Sequence, residues 1–429
     1  MERLVSFFGC FVLLGIAWLL SNNKKKINFR LVLWGLLLQF IFALIILKTP
    51  FGKAVFFYAK AAILKLLSFT DIGSEFIFGK LYRGDPGIVE ALGDGQGPYQ
   101  IWDPTANQFV YIGMSFAMHV LPTIIFFASL MGILYHLGVM QKIVQGMAWV
   151  MYRFMGTSGA ESLSVASNIF VGQTEAPLVV RPFVPKMTMS ELMAVMTGGF
   201  ATIAGGVMAA YVRFGAKPGH LMAASVMSAP AALVMAKIIF PETGEPETKG
   251  GTQVHVEKQT VNVVDAAASG AAEGLKLALN VGAMLLAFYA LIHLLDFGFV
   301  KVGQLFGAED FGLKKVLGYA FAPLALVMGI ETADVLNFGY LLGTKISLNE
   351  FVAFVQLGQW KGVLSERSFT IGTYALCGFA NFSSIAIQIG GIGGIAPNRR
   401  HDLAKLGLRA MIGGALASWL TATIAGVLI

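Results

Sequence analysis

One short stretch, Asn168-Ile169-Phe170-Val171-Gly172-Gln173-Thr174-Glu175-Ala176-Pro177, most limits what this chain can fold into. Two amides, a glycine, a hydroxyl and a carboxylate stand together in a chain that is 56% hydrophobic and only 13% charged. Apolar residues flank it from Leu163 to Phe170 and from Leu178 to Phe183, and Pro177, Pro182 and Pro185 prevent a continuous helix through the region. Soluble domains are about 25% charged, so this composition, with a mean hydropathy of +0.71, marks an integral membrane protein. A charged side chain at bilayer depth costs from about 2.5 to over 10 kcal/mol. Broken backbone at that depth is tolerated only where protein buries it or it lines a wet cavity. The stretch therefore predicts a re-entrant hairpin whose tip carries a polar binding site.

The net charge of +7 does not point to nucleic acid, because the basic residues are scattered at the ends of apolar segments. Cys10 and Cys377 both sit in apolar runs and read as small buried hydrophobes. The histidines lack metal-ligand spacing, and no Gly-Lys-Ser/Thr phosphate loop is present. Arg3 precedes the first apolar run and Lys24–Lys26 follow it without a small-x-small cleavage site, so it reads as a first membrane helix, not a signal peptide.

The hydropathy pattern predicts an all-α integral membrane protein with about eight transmembrane helices and two opposed re-entrant hairpins. The predicted spans are 4–20, 31–47, 109–140, 187–214, 220–240, 266–296, 368–389 and 403–429. Segment 51–67 reads as interfacial and 71–107 as an exposed loop; 142–155 is also interfacial, 311–330 interfacial or broken, and 241–262 a solvent loop. Hairpins are expected at 157–186 and 331–362. The order interfacial segment, hairpin, span, span occurs twice. This divides the chain into scaffold helices 1–141, a first repeat 142–240, a loop and scaffold helix 241–310, and a second repeat 311–429. In the copies Glu175 precedes Val207 and Glu350 precedes Asn381 by nearly the same interval. An odd number of crossings between them makes an inverted repeat with its site at the midplane. Lys24–Lys26, Lys142, Arg153, Arg181, Lys186, Lys237, Arg399 and Arg400 fall on one side, which the positive-inside rule places in the cytoplasm. Lys301, Lys314, Lys315, Lys361 and Arg367 fall on the other.

Three polar groups carry the chemistry. Gln173, Thr174 and Glu175 offer donors and acceptors suited to the edge of a heterocycle; helix capping would account for one of them, not for three in a row. Glu350, with Asn349, Asn381, Ser383 and Ser384, suits a sugar diol, since a carboxylate accepts paired hydrogen bonds from adjacent hydroxyls. For Ser383 alone, helix–helix hydrogen bonding is the simpler reading. Asn168 and Thr202 beside unwound carbonyls suit a hard cation.

Phe170-Val171-Gly172-Gln173-Thr174-Glu175-Ala176-Pro177, Asn349-Glu350-Phe351-Val352-Ala353-Phe354 and Cys377-Gly378-Phe379-Ala380-Asn381-Phe382-Ser383-Ser384 resemble the signatures of the concentrative nucleoside transporters. The short N-terminal region resembles the bacterial members. The resemblance implies eight membrane helices, two opposed hairpins, a homotrimer and import of nucleosides with a co-transported cation. Residue by residue, it implies that Gln173, Thr174 and Glu175 hold the base with Val207 packed on it, and that Glu350, Asn381 and Ser384 hold the ribose. Phe379 and Leu277 would form apolar walls, and sodium would sit between Asn168, the Val171 carbonyl, Thr202 and the Ile203 carbonyl. Thr202 stands where bacterial relatives often have serine, and Gly329–Asp334 replaces a more usual Trp-containing stretch.

The expectation is a sodium-coupled importer of nucleosides such as uridine, multi-pass in the cell inner membrane, and not an enzyme. The alternatives are proton coupling, through Glu175 or Glu350, and a transporter of another polar solute. An intramembrane hydrolase lacks a Ser-His or paired-Asp motif, and a structural scaffold does not account for two buried carboxylates, Glu175 and Glu350, in matching hairpins.

Overall fold

The computed structural model describes residues 2–79, 82, 99–103, 108–112, 116–249, 260–307 and 311–429. Helices α1 (Glu2–Leu19) and α2 (Phe29–Lys48) open the chain, and the Asn28 side chain starts α2 by accepting from the Leu31 amide. Thr49 and Pro50 then set the start of α3 (Pro50–Phe78), a single helix longer than the interfacial segment predicted at 51–67. The predicted exposed loop begins later than Asp71, which is helical. Near its end β1 (Tyr99–Asp103) pairs antiparallel with β2 (Gln108–Ile112), which takes the start of the span predicted at 109–140, because two short strands satisfy backbone groups that an all-helical reading leaves to water. The Asp85-Pro86-Gly87 and Gly93-Asp94-Gly95 turns lie outside the described residues.

The third span is shorter than 109–140. A helical turn, Phe116–His119, precedes α4 (Leu121–His136), which begins afresh ahead of Pro122. Left-handed Gly138 and Gly156 bound α5 (Val139–Met155). The first hairpin begins with α6 (Gly159–Ser167), started by a reciprocal Ser158–Glu161 capping box and ended at Asn168. Its return arm is not α-helical. It runs as 3-10 turns at Ala176–Val180 and Val184–Lys186, where Pro177 and Pro185 lack the amide an α-helix requires. Span 187–214 is broken into α7 (Met189–Ala201) and α8 (Gly205–Arg213), with extended Thr202 and Ala204 between them. Helix α9 (Pro218–Ile239) follows, and then α10 (Val263–Leu305), longer than the predicted 266–296.

The second copy repeats this order. Helix α11 (Leu313–Val327) is intact through Pro323, so 311–330 is not broken. Helices α12 (Val335–Ser347) and α13 (Glu350–Gln359) form the second hairpin, whose turn is Leu348-Asn349. Span 368–389 is broken into α14 (Glu366–Leu376) and α15 (Phe382–Ile395), and α16 (Arg400–Leu428) closes the chain. Helix, hairpin, broken helix and span thus recur as an inverted repeat.

Among the described residues six helical stretches are long and apolar enough to cross a membrane; α10 and the broken pair α14–α15 bring the crossing elements to the predicted eight. The most apolar 18-residue windows of Met189–Arg213 and Pro218–Ile239 are 89% buried and that of Pro397–Leu428 is 83% buried, against 28% for those of α1 and α2. The repeats therefore form the interior, with α16 packed on α1, α7, α9, α14 and α15. The outer helices turn Leu4, Phe8 and Leu33 outward, as lipid-facing helices do.

Two of the charges counted for orientation are built into the fold. Lys237 is buried, with its Nζ 2.7 Å from Glu161 Oε2, 2.9 Å from Ser190 Oγ and 3.3 Å from Glu242 Oε2. Arg399 pairs with Asp402 at 2.7 Å and donates to the carbonyls of Pro185 and Met187, closing the end of the first hairpin. The solvent loop predicted at 241–262 is partly packed as well. Thr248 is buried and accepts from the amides of Gly159 and Ala160, while 250–259 lie outside the described residues. Removing one partner of a buried ion pair costs about 3–5 kcal/mol. Lys237→Met is therefore expected to lower the melting temperature in detergent by several degrees or more. Adding Glu161→Gln should recover most of that loss; an unchanged Lys237→Met melting temperature would show the pair contributes nothing.

Candidate transport site

The two breaks in the repeat helices meet. The Phe379 amide donates to the Thr202 carbonyl at 3.3 Å, so each break satisfies part of the backbone freed by the other. Gly378 permits the approach: a Cβ there would sit 2.8 Å from the Phe200 carbonyl oxygen and 2.9 Å from that of Ala201. Both hairpin tips converge on this crossing.

Glu350, at the first position of α13, is 2% exposed. The adjacent Asn349 side chain caps α13 by accepting from the Val352 amide. Tyr211 OH donates to Glu350 Oε1 at 3.2 Å, and Asn381 Nδ2 donates to Oε2 at 3.0 Å. Tyr211 is held by ring contacts with Phe354, stacked at 4.2 Å, and with Phe351. Asn381 also caps α15, its Oδ1 accepting from the Ser384 amide at 2.9 Å and from Ser383 Oγ. Ser384 Oγ in turn accepts from Gln173 Nε2 at 3.2 Å, which brings in the first hairpin. Gln173 Oε1 accepts from Gln388 Nε2 at 3.0 Å, and Gln388 also donates to the Met196 carbonyl. One hydrogen-bonded chain, Glu350–Asn381–Ser384–Gln173–Gln388, thus connects the tip of one hairpin to the tip of the other. The partners are crossed: α8 of the first copy reaches the second hairpin, and α15 of the second copy reaches the first.

Not every residue named from the sequence joins this chain. Thr174 Oγ1 donates to Glu175 Oε1 at 2.9 Å, and Glu175 folds back over Gly172. Its side chain is exposed, contrary to the expectation of a buried carboxylate. Val207 is 1% exposed at the start of α8, and half-buried Phe379 packs on the same core. Leu277 on α10 is 37% exposed and lies outside that core.

The oxygen cluster beside the first break is distinct. Asn168 is 1% exposed; its Nδ2 donates to the Ser164 carbonyl, while its Oδ1 is buried without a hydrogen-bond partner. Thr202 donates its hydroxyl to the Gly198 carbonyl at 3.0 Å and so turns lone pairs outward. Among the described residues no donor reaches the carbonyls of Val171 or Ile203. A buried acceptor without a donor costs about 1–3 kcal/mol, and a cation coordinated by oxygen relieves that cost. The residues therefore fit the group the resemblance implies.

Three contributors escape a reading of the sequence. Tyr211 reads there as one more apolar-span aromatic. Lys345 is fully buried and donates to the Ala375 carbonyl and to Ser418 Oγ, at the C-terminal end of α14, where a positive charge complements the helix dipole. Gln388 has a visible signal: it is the one polar side chain between Ile385 and Ile395.

Paired hairpins closing on crossed, broken helices in a multi-pass membrane protein define a secondary transporter. The family descriptions agree. "Na+ dependent nucleoside transporter N-terminus" matches residues 8–81, "Nucleoside recognition" matches 117–218, and "Na+ dependent nucleoside transporter C-terminus" matches 220–426. An uncharacterized transporter of Haemophilus influenzae is 44% identical across all of this chain and 98% of its own length. Human solute carrier family 28 member 3 is 38% identical over all of this chain, which spans 60% of that longer protein. The structure of CNTnw in an inward-facing, substrate-bound state superposes with a TM-score of 0.89 at 41% identity, covering 100% of this chain and 98% of that one. The chain belongs to the Na+-dependent, concentrative nucleoside transporter family, whose members are transporters and not enzymes.

Proposed function

We propose that this protein imports nucleosides across the inner membrane by sodium symport. The observation that carries the reading is the hydrogen-bonded chain from Glu350 to Gln173, which spans both hairpin tips with groups suited to a sugar at one end and a base at the other. Glu350, Asn381 and Ser384 take the ribose hydroxyls; Gln173, Thr174 and Glu175 take the base; Val207, Phe379 and Leu277 wall the site. Asn168, Thr202 and the carbonyls of Val171 and Ile203 hold the ion. None of these oxygens belongs to a carboxylate, so a singly charged cation suits them better than a divalent one. A bound ion supplies positive charge at the end of α6 and holds the hairpin tip in the shape that accepts the base. The hairpins and broken helices, residues 142–240 and 311–429, move as the transport unit against scaffold helices in a homotrimer.

The test is uptake of radiolabelled uridine by proteoliposomes with and without an inward sodium gradient. Uptake should rise at least tenfold with the gradient, and unlabelled nucleosides, but not amino acids, should compete. Uptake that ignores sodium and follows pH would move coupling to protons, and competition by amino acids alone would remove the nucleoside reading.

A further inference from the structure

Gln388 stands behind the site, not in it. It is fully buried on α15 and has apolar neighbours in sequence on both sides. Its Nε2 lies 3.1 Å from the Met196 carbonyl and 3.0 Å from Gln173 Oε1. A backbone carbonyl only accepts, so Gln388 must present its NH2 at this point, and its two hydrogens serve Met196 and Gln173. That obliges Gln173 to present its oxygen to Gln388. The Gln173 NH2 is then forced to the opposite side, where one hydrogen goes to Ser384 Oγ and the other has no partner among the described residues. The directions of the bonds from Met196 through Gln388 and Gln173 to Ser384 are thus fixed from a group that cannot reverse.

The surroundings are shaped for this pair of amides. A Cβ on Gly199 would lie 2.7 Å from Gln388 Nε2 and 2.9 Å from Gln173 Cβ, so only glycine leaves room for both. Packing alone does not account for Gln388, because its Oε1 is buried without a partner, and an aliphatic side chain would avoid that penalty.

We propose that Gln388 is a specificity-determining positioning residue that pins the Gln173 amide as a donor toward the base. This rests on the reading of Gln173 and Glu175 as the base ligands. A donor at Gln173 beside an acceptor at Glu175 complements a ring N–H flanked by a carbonyl. Uracil has that edge, with N3–H between two carbonyls, so either carbonyl serves. Cytosine has an acceptor at N3, and to match the same pair it must shift by one atom along its edge. The ribose, held at Glu350 and Asn381, would shift with it. The site therefore selects nucleosides of the imide type over those of the amino type.

The experiment is calorimetric titration of the purified full chain with uridine and with cytidine in sodium, for wild type and Gln388→Leu. Wild type is expected to bind uridine at least about tenfold tighter than cytidine, about one charge-assisted hydrogen bond of difference. In Gln388→Leu the Gln173 amide is free to turn, and the ratio should fall to about threefold or less with uridine binding retained. A residue that only supports the fold would weaken both ligands together and leave the ratio where it was, which would overturn the proposal. So would a wild type that binds both equally, a result that needs no variant to fold. A wild type that binds no nucleoside at all defeats the transport reading itself, and so tells the two failures apart.

Discussion

Glu350→Gln is expected to reduce uridine affinity by at least about 100-fold while leaving the protein folded. Hydrogen bonds to charged groups contribute about 1.5–3 kcal/mol each, and a carboxylate facing a diol accepts two. Their loss, about 3 kcal/mol or more, is a factor above 100 in Kd. The fold should tolerate the change, because the amide oxygen still accepts from Asn381 Nδ2 and the NH2 finds the Tyr211 oxygen. Calorimetry with uridine, alongside a melting curve in detergent, separates the two effects. Unchanged affinity removes Glu350 from the ribose subsite. Equal loss of binding and folding shows instead that its contacts with Tyr211 and Asn381 are structural.

Asn168→Ala is expected to weaken the sodium dependence of that binding. Its Oδ1 is the buried acceptor without a partner, so its deletion takes one of four proposed ligands from the ion and costs the fold only the bond from Nδ2 to Ser164. The sodium concentration for half-maximal stimulation should rise at least tenfold, the equivalent of about 1.4 kcal/mol. Coupling between two ligands is reciprocal. The ability of uridine to tighten sodium binding should therefore fall by the same factor as the ability of sodium to tighten uridine binding. A variant that keeps full sodium stimulation places the ion elsewhere and leaves the orphaned Asn168 oxygen to water.

Much of the architecture is legible because the bilayer allows so few solutions. Prolines after Gln173-Thr174-Glu175, and Asn349-Glu350 in an otherwise apolar segment, can be reconciled with lipid only by a hairpin. Legibility fails where a local pattern has two outcomes of similar energy. The apolar runs 187–214 and 368–389 look continuous, yet both are broken, since the backbone freed at Thr202 and Phe379 finds its partner in the opposite copy. Lys237 reads as a loop charge until the fold sets Glu161 beside it. Glu175 reads as buried from its neighbours in sequence, but the fold leaves it exposed.

From residue order alone came the membrane class, the two hairpins, the repeat and the acidic residues at the tips, because hydrophobicity and proline act locally and leave a mark at each position. Only the tertiary structure decided that Tyr211 serves Glu350, that Asn381 joins it to Ser384, and that Gln388 orients Gln173. Those pairings link residues up to 215 positions apart. A hydrogen bond depends on distance and angle in space, and sequence spacing carries neither across that separation.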